Sequence, residues 1–252
     1  MKKYAKLIKI CKEIYDKVEA SDDDKLMLNK YPHIFVLSCV MDSQIDSEKA
    51  GAIPILIATQ VGGFEFKKFH IKDKAYYINL FKNKKYHRFN DIMGEAFYDA
   101  IELIANKYKG DASNIWNDNP SSAELVCRFL EFNRVGIKIA TMAANILSRD
   151  YKVKLKDYYA IDISPDIHVK RTMYRLGLLN ERKITNYDEI SPSEVIYKAK
   201  SINPTFPGLL DYAFWKIGFD KICTNNKCNK EKCPFKEICA FQGVKQIKTA
   251  VK

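Results

Sequence analysis

Apolar residues recur along most of this chain at the three- and four-residue spacing of an amphipathic helix. The clearest such face lies within residues 139–147 and consists of Ile139, Met142, Ala143, Ile146 and Leu147. Alternating apolar and polar positions, which are typical of strands, are scarce. Their best example, residues 151–161, predicts a loop with at most one short strand. The pattern as a whole therefore predicts a mainly α-helical protein.

Two helix starts are marked by capping boxes. Ser121 is followed three residues later by Glu124, and Ser191 is followed by Glu194, with Pro192 at the first helical position. In such a box the serine accepts a hydrogen bond from the backbone of the acidic residue, whose carboxylate reaches back to the backbone of the serine. We therefore predict a helix directly after each serine.

The composition allows a folded core and favours a negatively charged partner. Of the 252 residues, 47% are hydrophobic, which is enough to bury a core. The 42 basic residues exceed the 31 acidic ones by 42 − 31 = 11 charges. This surplus favours a polyanion such as nucleic acid, although many cytosolic proteins from lysine-rich proteomes are basic too.

The sequence shows no recognisable targeting or membrane-spanning segment. Residues 1–20 are basic but have the pattern of an amphipathic helix, without the apolar core or small-residue cleavage site of a signal peptide. No apolar run approaches the length needed to cross a bilayer. We therefore expect an intracellular, cytoplasmic protein with no membrane partner.

Four of the seven cysteines form a compact group near the C-terminus. They lie within seventeen residues, separated by four, four and five others: Cys223, Cys228, Cys233 and Cys239. Four thiolates on one short loop suit a metal centre, and this run predicts a [4Fe–4S] cluster. Zinc is the main alternative, although the two cysteines of a zinc-binding pair usually lie closer together in the chain and the two pairs lie further apart. Disulfides are disfavoured because nothing suggests secretion. The remaining Cys11, Cys39 and Cys127 lie in apolar helical contexts and are expected to be buried thiols.

The helical, basic chain with its cysteine loop resembles the endonuclease III family of DNA glycosylases, within the helix-hairpin-helix superfamily. Three more stretches match the layout of this family in order. "VLSCVMDSQ" (36–44) is similar to the start of the helical barrel, and "FLEFNRVGIKIA" (129–140) is similar to the hairpin, where the family shows "PGVGRKTA". "PDIHVKRTMYRLGL" (165–178) resembles the "VDTHVxR" stretch that carries the catalytic aspartate. The resemblance covers roughly residues 30–240.

The chain departs from the family pattern at three places. Asn133 and Arg134 stand where the hairpin has proline and its first glycine. The cysteine spacing differs from the family's usual six, two and five, and about ten extra residues lie between the hairpin lysine and the aspartate. These departures leave the expected fold unchanged and leave the substrate class open.

The resemblance implies an all-α protein of two helical domains. A six-helix barrel would span residues 33–150 and contain the helix-hairpin-helix at about 129–147. Residues 1–32 would join 151–252 in a second domain that carries the [4Fe–4S] loop, 223–239. The cluster would have a structural role or would help to position DNA, because four cysteine ligands leave no iron open to substrate.

Two residues carry the expected chemistry by resemblance. Lys138 corresponds to the lysine of bifunctional members, whose amine attacks C1′ and forms a Schiff base; a helix start and a low-dielectric pocket both favour the neutral amine. Asp166 corresponds to the catalytic aspartate, whose carboxylate stabilises positive charge on the sugar or activates the nucleophile. The alternatives are a solvated Lys138, an Asp166 that caps its helix, and Asp162 as the reacting carboxylate.

Further residues are expected at the DNA interface. Val135 and Gly136 would offer backbone N–H groups to a phosphate at the start of a helix. Gln44 would fill the space left by the extruded nucleotide, unless it is an ordinary surface glutamine at a helix end. One basic helix face is also expected to meet phosphates, and it consists of His168, Arg171 and Arg175.

Together these features predict a monomeric, nucleoid-associated DNA glycosylase of base excision repair with abasic-site (β-elimination) lyase activity. Its partner would be double-stranded DNA with a lesion or abasic site, and the family suggests an oxidised pyrimidine. One alternative is a monofunctional glycosylase for adenine or for a mismatched or alkylated base. The other is a DNA-binding protein that kept the scaffold and the cluster without turnover.

Overall fold

The structure is a computed structural model that describes residues 2–179 and 183–241. In this part of the chain all regular secondary structure is helical, which confirms the predicted all-α class. Residues 151–161 form a loop without a strand. Residues 242–252, which close the predicted cluster domain, lie outside the described residues.

Twelve α-helices and three short 3₁₀ helices make up the described chain. The α-helices are α1 (Lys2–Asp16), α2 (Asp22–Lys30), α3 (Pro32–Met41), α4 (Ser47–Val61), α5 (Phe66–His70), α6 (Lys74–Lys84), α7 (Asn90–Asn106), α8 (Ser122–Leu130), α9 (Ile137–Arg149), α10 (Ile167–Arg175), α11 (Pro192–Ile202) and α12 (Asp211–Phe219). The 3₁₀ helices are Ala112–Ile115, Tyr187–Glu189 and Pro207–Leu210. None of the described helices has the length and apolarity needed to cross a bilayer.

The chain divides into two compact units. The terminal unit consists of Met1–Val18 and Asp157–Lys252, and the central unit consists of Glu19–Lys156. Helices α1 and α10–α12 belong to the terminal unit, and α2–α9 belong to the central unit. The domain limits expected from the family resemblance stay a prediction.

Helix α3 lies at the core of the central unit. Its sequence is apolar on all sides, as expected of a helix that is surrounded by other elements. Val36, Leu37, Val40 and Met41 are fully buried, and α3 packs against α4, α7 and α9. Burial of each such side chain contributes about 1.5 to 3 kcal/mol relative to an exposed position.

Helices α8 and α9 form a helical hairpin joined by a short turn. The predicted capping box opens α8, where the Ser121 N–H donates to Glu124 Oε2 at 2.7 Å and the Glu124 N–H donates to Ser121 Oγ at 3.2 Å. The predicted apolar face of α9 lies inward, with Ile139 buried near its start and Leu147 buried near its end. Both predictions are confirmed.

One predicted buried thiol is exposed. Cys11 and Cys39 are buried, and burial raises the pKa of both thiols well above its usual range. Cys127 is exposed, so its predicted burial was wrong. Helix α8 buries Leu125, Val126 and Phe129, and because 3.6 residues make one turn, position 127 falls on the opposite face.

The terminal unit has its own core. Leu7 and Cys11 of α1 are buried there with Met173 of α10, Phe214 of α12 and Phe235 of the cysteine loop.

Helix α11 begins as predicted. Pro192 lies in its first turn, and Ser191 accepts a hydrogen bond from the backbone N–H of Glu194.

Helices α10 and α12 approach each other closely at Gly218. A Cβ atom at this position would lie 2.3 Å from Nδ1 of His168 and 2.6 Å from Nη2 of Arg171. Such distances are too short for non-bonded atoms, so a larger residue at this position would have to displace His168 or Arg171.

Candidate functional site

Lys138 lies in the first turn of α9 and is exposed. Gly136 is the N-cap, with φ −94° and ψ 177°. The first N–H groups of a helix have no partner within the helix, and glycine has no side chain that could bind one. The helix start is therefore a place where backbone donors and a lysine amine face solvent together.

The turn before α9 has a left-handed residue at Arg134, whose φ is 70°. Its neighbour Val135 is buried, and the Val135 N–H donates to the Phe132 carbonyl at 3.0 Å. The left-handed region favours glycine, because a Cβ atom is crowded there. The turn thus adopts a conformation suited to the glycine that the family pattern has at this position, although this chain has an arginine.

Gln44 lies in the loop between α3 and α4, beyond the end of either helix. It is exposed and has a left-handed φ of 59°. The loop is held on one side by the Ser43 N–H, which donates to the Met41 carbonyl at 2.8 Å. On the other side Asp46 caps α4 by accepting the Glu48 N–H at 3.0 Å. The glutamine therefore projects from a short loop whose two ends are fixed.

His87 lies beside this loop and was not among the predicted site residues. It is buried, and its Nδ1 accepts the Phe89 N–H at 3.1 Å. Burial lowers the pKa of His87, while the carbonyls of Met41 and Ser43 act in the opposite direction. No described group makes a short, well-aligned hydrogen bond to Nε2, so the two carbonyls act at longer range. The buried imidazole therefore lies beside the Gln44 loop.

Asp166 is the N-cap of α10. Its Oδ1 accepts the Val169 N–H at 2.7 Å, and the residue is half-buried. This is the capping geometry expected when aspartate precedes a helix. A ligand would therefore contact the other carboxylate oxygen, Oδ2.

Asp162, the competing carboxylate, has a different environment. It is buried, and its Oδ1 lies 3.1 Å from Nζ of Lys200 on α11. Burial raises the pKa of Asp162, and the ion pair with Lys200 acts in the opposite direction. Asp162 is therefore engaged within the terminal unit, whereas Asp166 stands half-buried at a helix start.

The basic residues of α10 are largely inside the terminal unit. Arg171 is 4% exposed and Arg175 is 3% exposed, while His168 is half-buried. Nη2 of Arg171 lies 2.7 Å from His168 Nδ1, and Nη1 donates to Asn225 Oδ1 at 3.4 Å. Burial lowers the pKa of His168; Asp166 raises it and Arg171 lowers it further. The predicted basic face thus makes contacts inside the protein, and a role for His168 and Arg171 in DNA binding stays a prediction.

Arg175 joins α10 to the cysteine loop. Its Nη1 donates to Cys223 Sγ at 3.1 Å, its Nη2 to the Asn225 carbonyl at 3.1 Å, and its Nε to Tyr187 Oη at 3.1 Å. The Cys239 thiol points to the Arg175 carbonyl at 3.5 Å. The sequence placed Arg175 on a helix face but held no signal that it would meet a cysteine far along the chain.

The four clustered cysteines share one neighbourhood and are free thiols. Burial raises the pKa of Cys233 to about 11, and the sulfurs of Cys223, Cys239 and Cys228 add to this effect. Among the described residues, no three Cys, His, Asp or Glu side chains form a group that could hold a metal ion. Metal binding needs thiolates, and the buried guanidinium of Arg175 supplies a compensating charge. The residue types of this donor set suit a sulfur-ligated metal group, but among the described residues the sulfurs are not gathered into one.

The helical fold is of the endonuclease III type. Among solved structures, the chain is similar to a trapped endonuclease III–DNA covalent intermediate in an estranged-adenine complex, with a TM-score of 0.54. The match covers 86% of this chain and 91% of that chain at 15% sequence identity. No family model and no curated protein sequence matches the chain. At this identity the likeness shows a shared fold.

Proposed function

We propose that this protein is a DNA glycosylase of base excision repair with abasic-site lyase activity. The observation that carries the proposal is the exposed Lys138 in the first turn of α9, directly after the hairpin turn. The similar solved structure is a covalent intermediate between endonuclease III and DNA. An accessible amine at a helix start is suited to the same kind of covalent chemistry.

Lys138 would act as the nucleophile. Its amine forms a bond to C1′ of the damaged nucleotide while the N-glycosidic bond breaks and the base leaves with the bonding electrons and a proton. Opening of the sugar ring gives the Schiff base, and loss of the C2′ proton with departure of the 3′ phosphate cuts the strand. Because Lys138 is exposed in the free protein, its amine is accessible to the sugar of a bound duplex.

Asp166 would stabilise the positive charge that develops on the sugar. Its Oδ1 is bound to the backbone of α10 at 2.7 Å, so we assign Oδ2 to the substrate. The same cap bond favours a second candidate function, a DNA-binding protein without turnover, because an aspartate that only caps its helix needs no other role.

Binding of the duplex would use the central unit. Backbone N–H groups at Gly136 and the start of α9 would hold a phosphate, whereas the Val135 N–H could do so only by leaving the Phe132 carbonyl. Gln44 would enter the space left by the extruded nucleotide. The net charge of +11 supplies attraction to the DNA backbone at every sequence. An oxidised pyrimidine is the proposed lesion, with the half-buried His168 as a further DNA contact. Arg171 is 4% exposed and would reach DNA only by leaving its contacts inside the protein.

The four cysteines of the loop 223–239 would hold a [4Fe–4S] cluster. When bound, the cluster would stiffen the loop and orient it toward DNA, and it would take no part in bond breaking. Arg175 would hold Cys223 in place through its hydrogen bond of 3.1 Å. Iron and acid-labile sulfide in a ratio near one, together with visible absorption of the purified protein, would support this assignment; zinc alone would contradict it.

Borohydride trapping tests the enzymatic proposal. The protein is incubated with duplexes that contain thymine glycol, uracil, 8-oxoguanine or an abasic site. We expect a covalent adduct with the native protein, no adduct with Lys138→Ala or Lys138→Arg, and an unchanged adduct with Lys154→Ala, which removes another exposed lysine. The arginine variant keeps the positive charge but cannot form the Schiff base.

Each other outcome has a separate meaning. Strand breaks that appear only after alkali, without an adduct, would indicate a monofunctional glycosylase. DNA binding with neither adduct nor base release would support the binding protein. An adduct that persists in both Lys138 variants would assign the nucleophile to another amine.

A further inference from the structure

The loop that leads into Asp166 is buried although it has no regular secondary structure. Residues 161–164 are all buried. A buried loop has to satisfy its backbone N–H and carbonyl groups within the protein, because unpaired groups are costly away from water. The partners of this loop therefore determine where the carboxylate at its end is placed.

Three contacts from two other segments hold the loop. The Ser164 N–H donates to Asp211 Oδ1 at 2.6 Å, and the Gly208 N–H donates to the Ile161 carbonyl at 2.7 Å. Nζ of Lys200 pairs with Asp162 Oδ1 at 3.1 Å. The first two contacts come from the segment 207–211, which consists of the last 3₁₀ helix and the first residue of α12.

The contact with Asp211 continues to the candidate carboxylate. The Ser164 carbonyl accepts the Asp166 N–H at 2.8 Å, and Asp166 Oδ1 accepts the Val169 N–H at 2.7 Å. A continuous series of hydrogen bonds thus runs from Asp211 through Ser164 to Asp166. Each member depends on the one before it for its position.

Asp211 is well suited to hold a fixed position. It is 8% exposed and occupies the first turn of α12, where a negative charge is favoured by the helix dipole. Helix α12 is anchored in the core by Ala213 and Phe214, which are buried. The acceptor oxygen of Asp211 therefore has a fixed position, and the loop is held to α12 through this oxygen.

We infer that Asp211 is a positioning residue that sets the place of the Asp166 carboxylate for reaction. This inference rests on the proposed function, in which Asp166 acts on the sugar. Without the acceptor, the Ser164 N–H is left in a buried environment and the loop shifts to find another partner. A displacement of about 1 Å in a reacting group lowers a rate by about a hundredfold, while the DNA-binding residues of the central unit are unaffected.

The test compares variants of the full protein under single-turnover conditions, on the lesion that the native protein processes. Asp211→Ala removes the acceptor, Asp211→Asn keeps an acceptor oxygen of the same reach, and Asp220→Ala removes an exposed aspartate from the end of the same helix. We expect the rate constant of base release to fall about 10- to 100-fold in Asp211→Ala. The rate constants of Asp211→Asn and Asp220→Ala stay close to that of the native protein, and the Kd for DNA stays unchanged in all three.

Loss of stability alone would not produce this pattern. Rates are measured at a temperature where circular dichroism shows every variant to be folded. Asp211→Leu, which keeps the branched side-chain shape without an acceptor, replaces an Asp211→Ala that fails to fold. An unchanged rate in a folded variant without the acceptor would overturn the inference and leave the proposed function intact. Inactivity of the native protein on every lesion would instead overturn the proposed function, and the inference with it.

Discussion

At the turn before α9 a charged side chain occupies a backbone conformation that suits glycine. Arg134 has φ of 70°, and the left-handed region costs a residue with a Cβ atom about 1 to 2 kcal/mol. The conformation is maintained because Val135 is buried and its N–H is bonded to the Phe132 carbonyl. The packing of Val135 thus offsets the strain at Arg134.

Replacing Arg134 by glycine is expected to stabilise the protein. Relief of the strain exceeds the extra freedom of glycine in the unfolded chain, so the free energy of unfolding should rise by about 0.5 to 1 kcal/mol. Urea denaturation measures the change, and Arg134→Ala serves as the control because it removes the charge but keeps the Cβ atom. Equal stability of the two variants would show that the conformation carries no strain.

Gly218→Ala should have the opposite effect. The new methyl group would meet His168 and Arg171 at distances below 3 Å, and overpacking of this kind costs about 1 to 3 kcal/mol. Gly51→Ala is the matched control, since Gly51 also lies inside a helix, α4, with nothing within 4 Å of an added Cβ atom. There the better helix propensity of alanine should stabilise by up to about 1 kcal/mol. Thermal denaturation that shows both variants stabilised would contradict the close approach at Gly218.

At the scale of elements, α3 places a histidine among aromatic rings. His33 is buried, with ring centroids 5.3 Å from Phe66 and 5.2 Å from Phe69. Burial lowers the pKa of His33 to about 4, and a backbone hydrogen bond at Phe64 opposes this shift only in part. The imidazole is therefore neutral in the fold, and its protonation would place a charge among these aromatic rings.

This pKa predicts an acid sensitivity of the central unit. Between pH 6.5 and about 4 the unfolded chain binds a proton at His33 that the folded state rejects, so stability is fully present above this range and falls as pH decreases through it. The slope from this group reaches about 1.4 kcal/mol per pH unit. Urea denaturation at pH 7, 6 and 5 should show a flatter pH dependence for His33→Phe than for the native protein. Parallel curves would contradict the prediction.

At the scale of the whole molecule, the net charge of +11 dominates the interaction with any polyanion. Lysines and arginines that neutralise DNA phosphates release counterions, and this makes affinity depend steeply on salt. The buried Arg171 and Arg175 are already engaged with Asn225 and Cys223. We therefore attribute the attraction to exposed basic residues on the surfaces of both units.

The affinity for undamaged duplex DNA should fall sharply as salt increases. If about six phosphates are neutralised, the Kd rises about a thousandfold between 50 and 200 mM salt. Fluorescence anisotropy with a labelled duplex measures the dependence, and Lys138→Ala reports whether that amine contributes one of the contacts. An affinity that is independent of salt would show that the positive charge serves another purpose.

The amino-acid sequence by itself determined the features of this protein that depend on near neighbours in the chain. Spacing of apolar residues gave the helical class and the buried face of α9, and serine followed by glutamate marked the starts of α8 and α11. These signals are readable because hydrogen bonds and side-chain contacts within a helix join residues three or four apart. The cysteine run likewise marked its own loop.

Only the tertiary structure decided what lies across from each residue. It buried Arg175 against Cys223, directed Asp211 to the Ser164 N–H, and left Cys127 on the outside of its helix. A charged residue is tolerated inside a protein when a distant partner compensates it, and no local pattern records that partner. The fold class could therefore be predicted from sequence, whereas the support behind the candidate carboxylate became visible only once segments far apart in the chain had packed together.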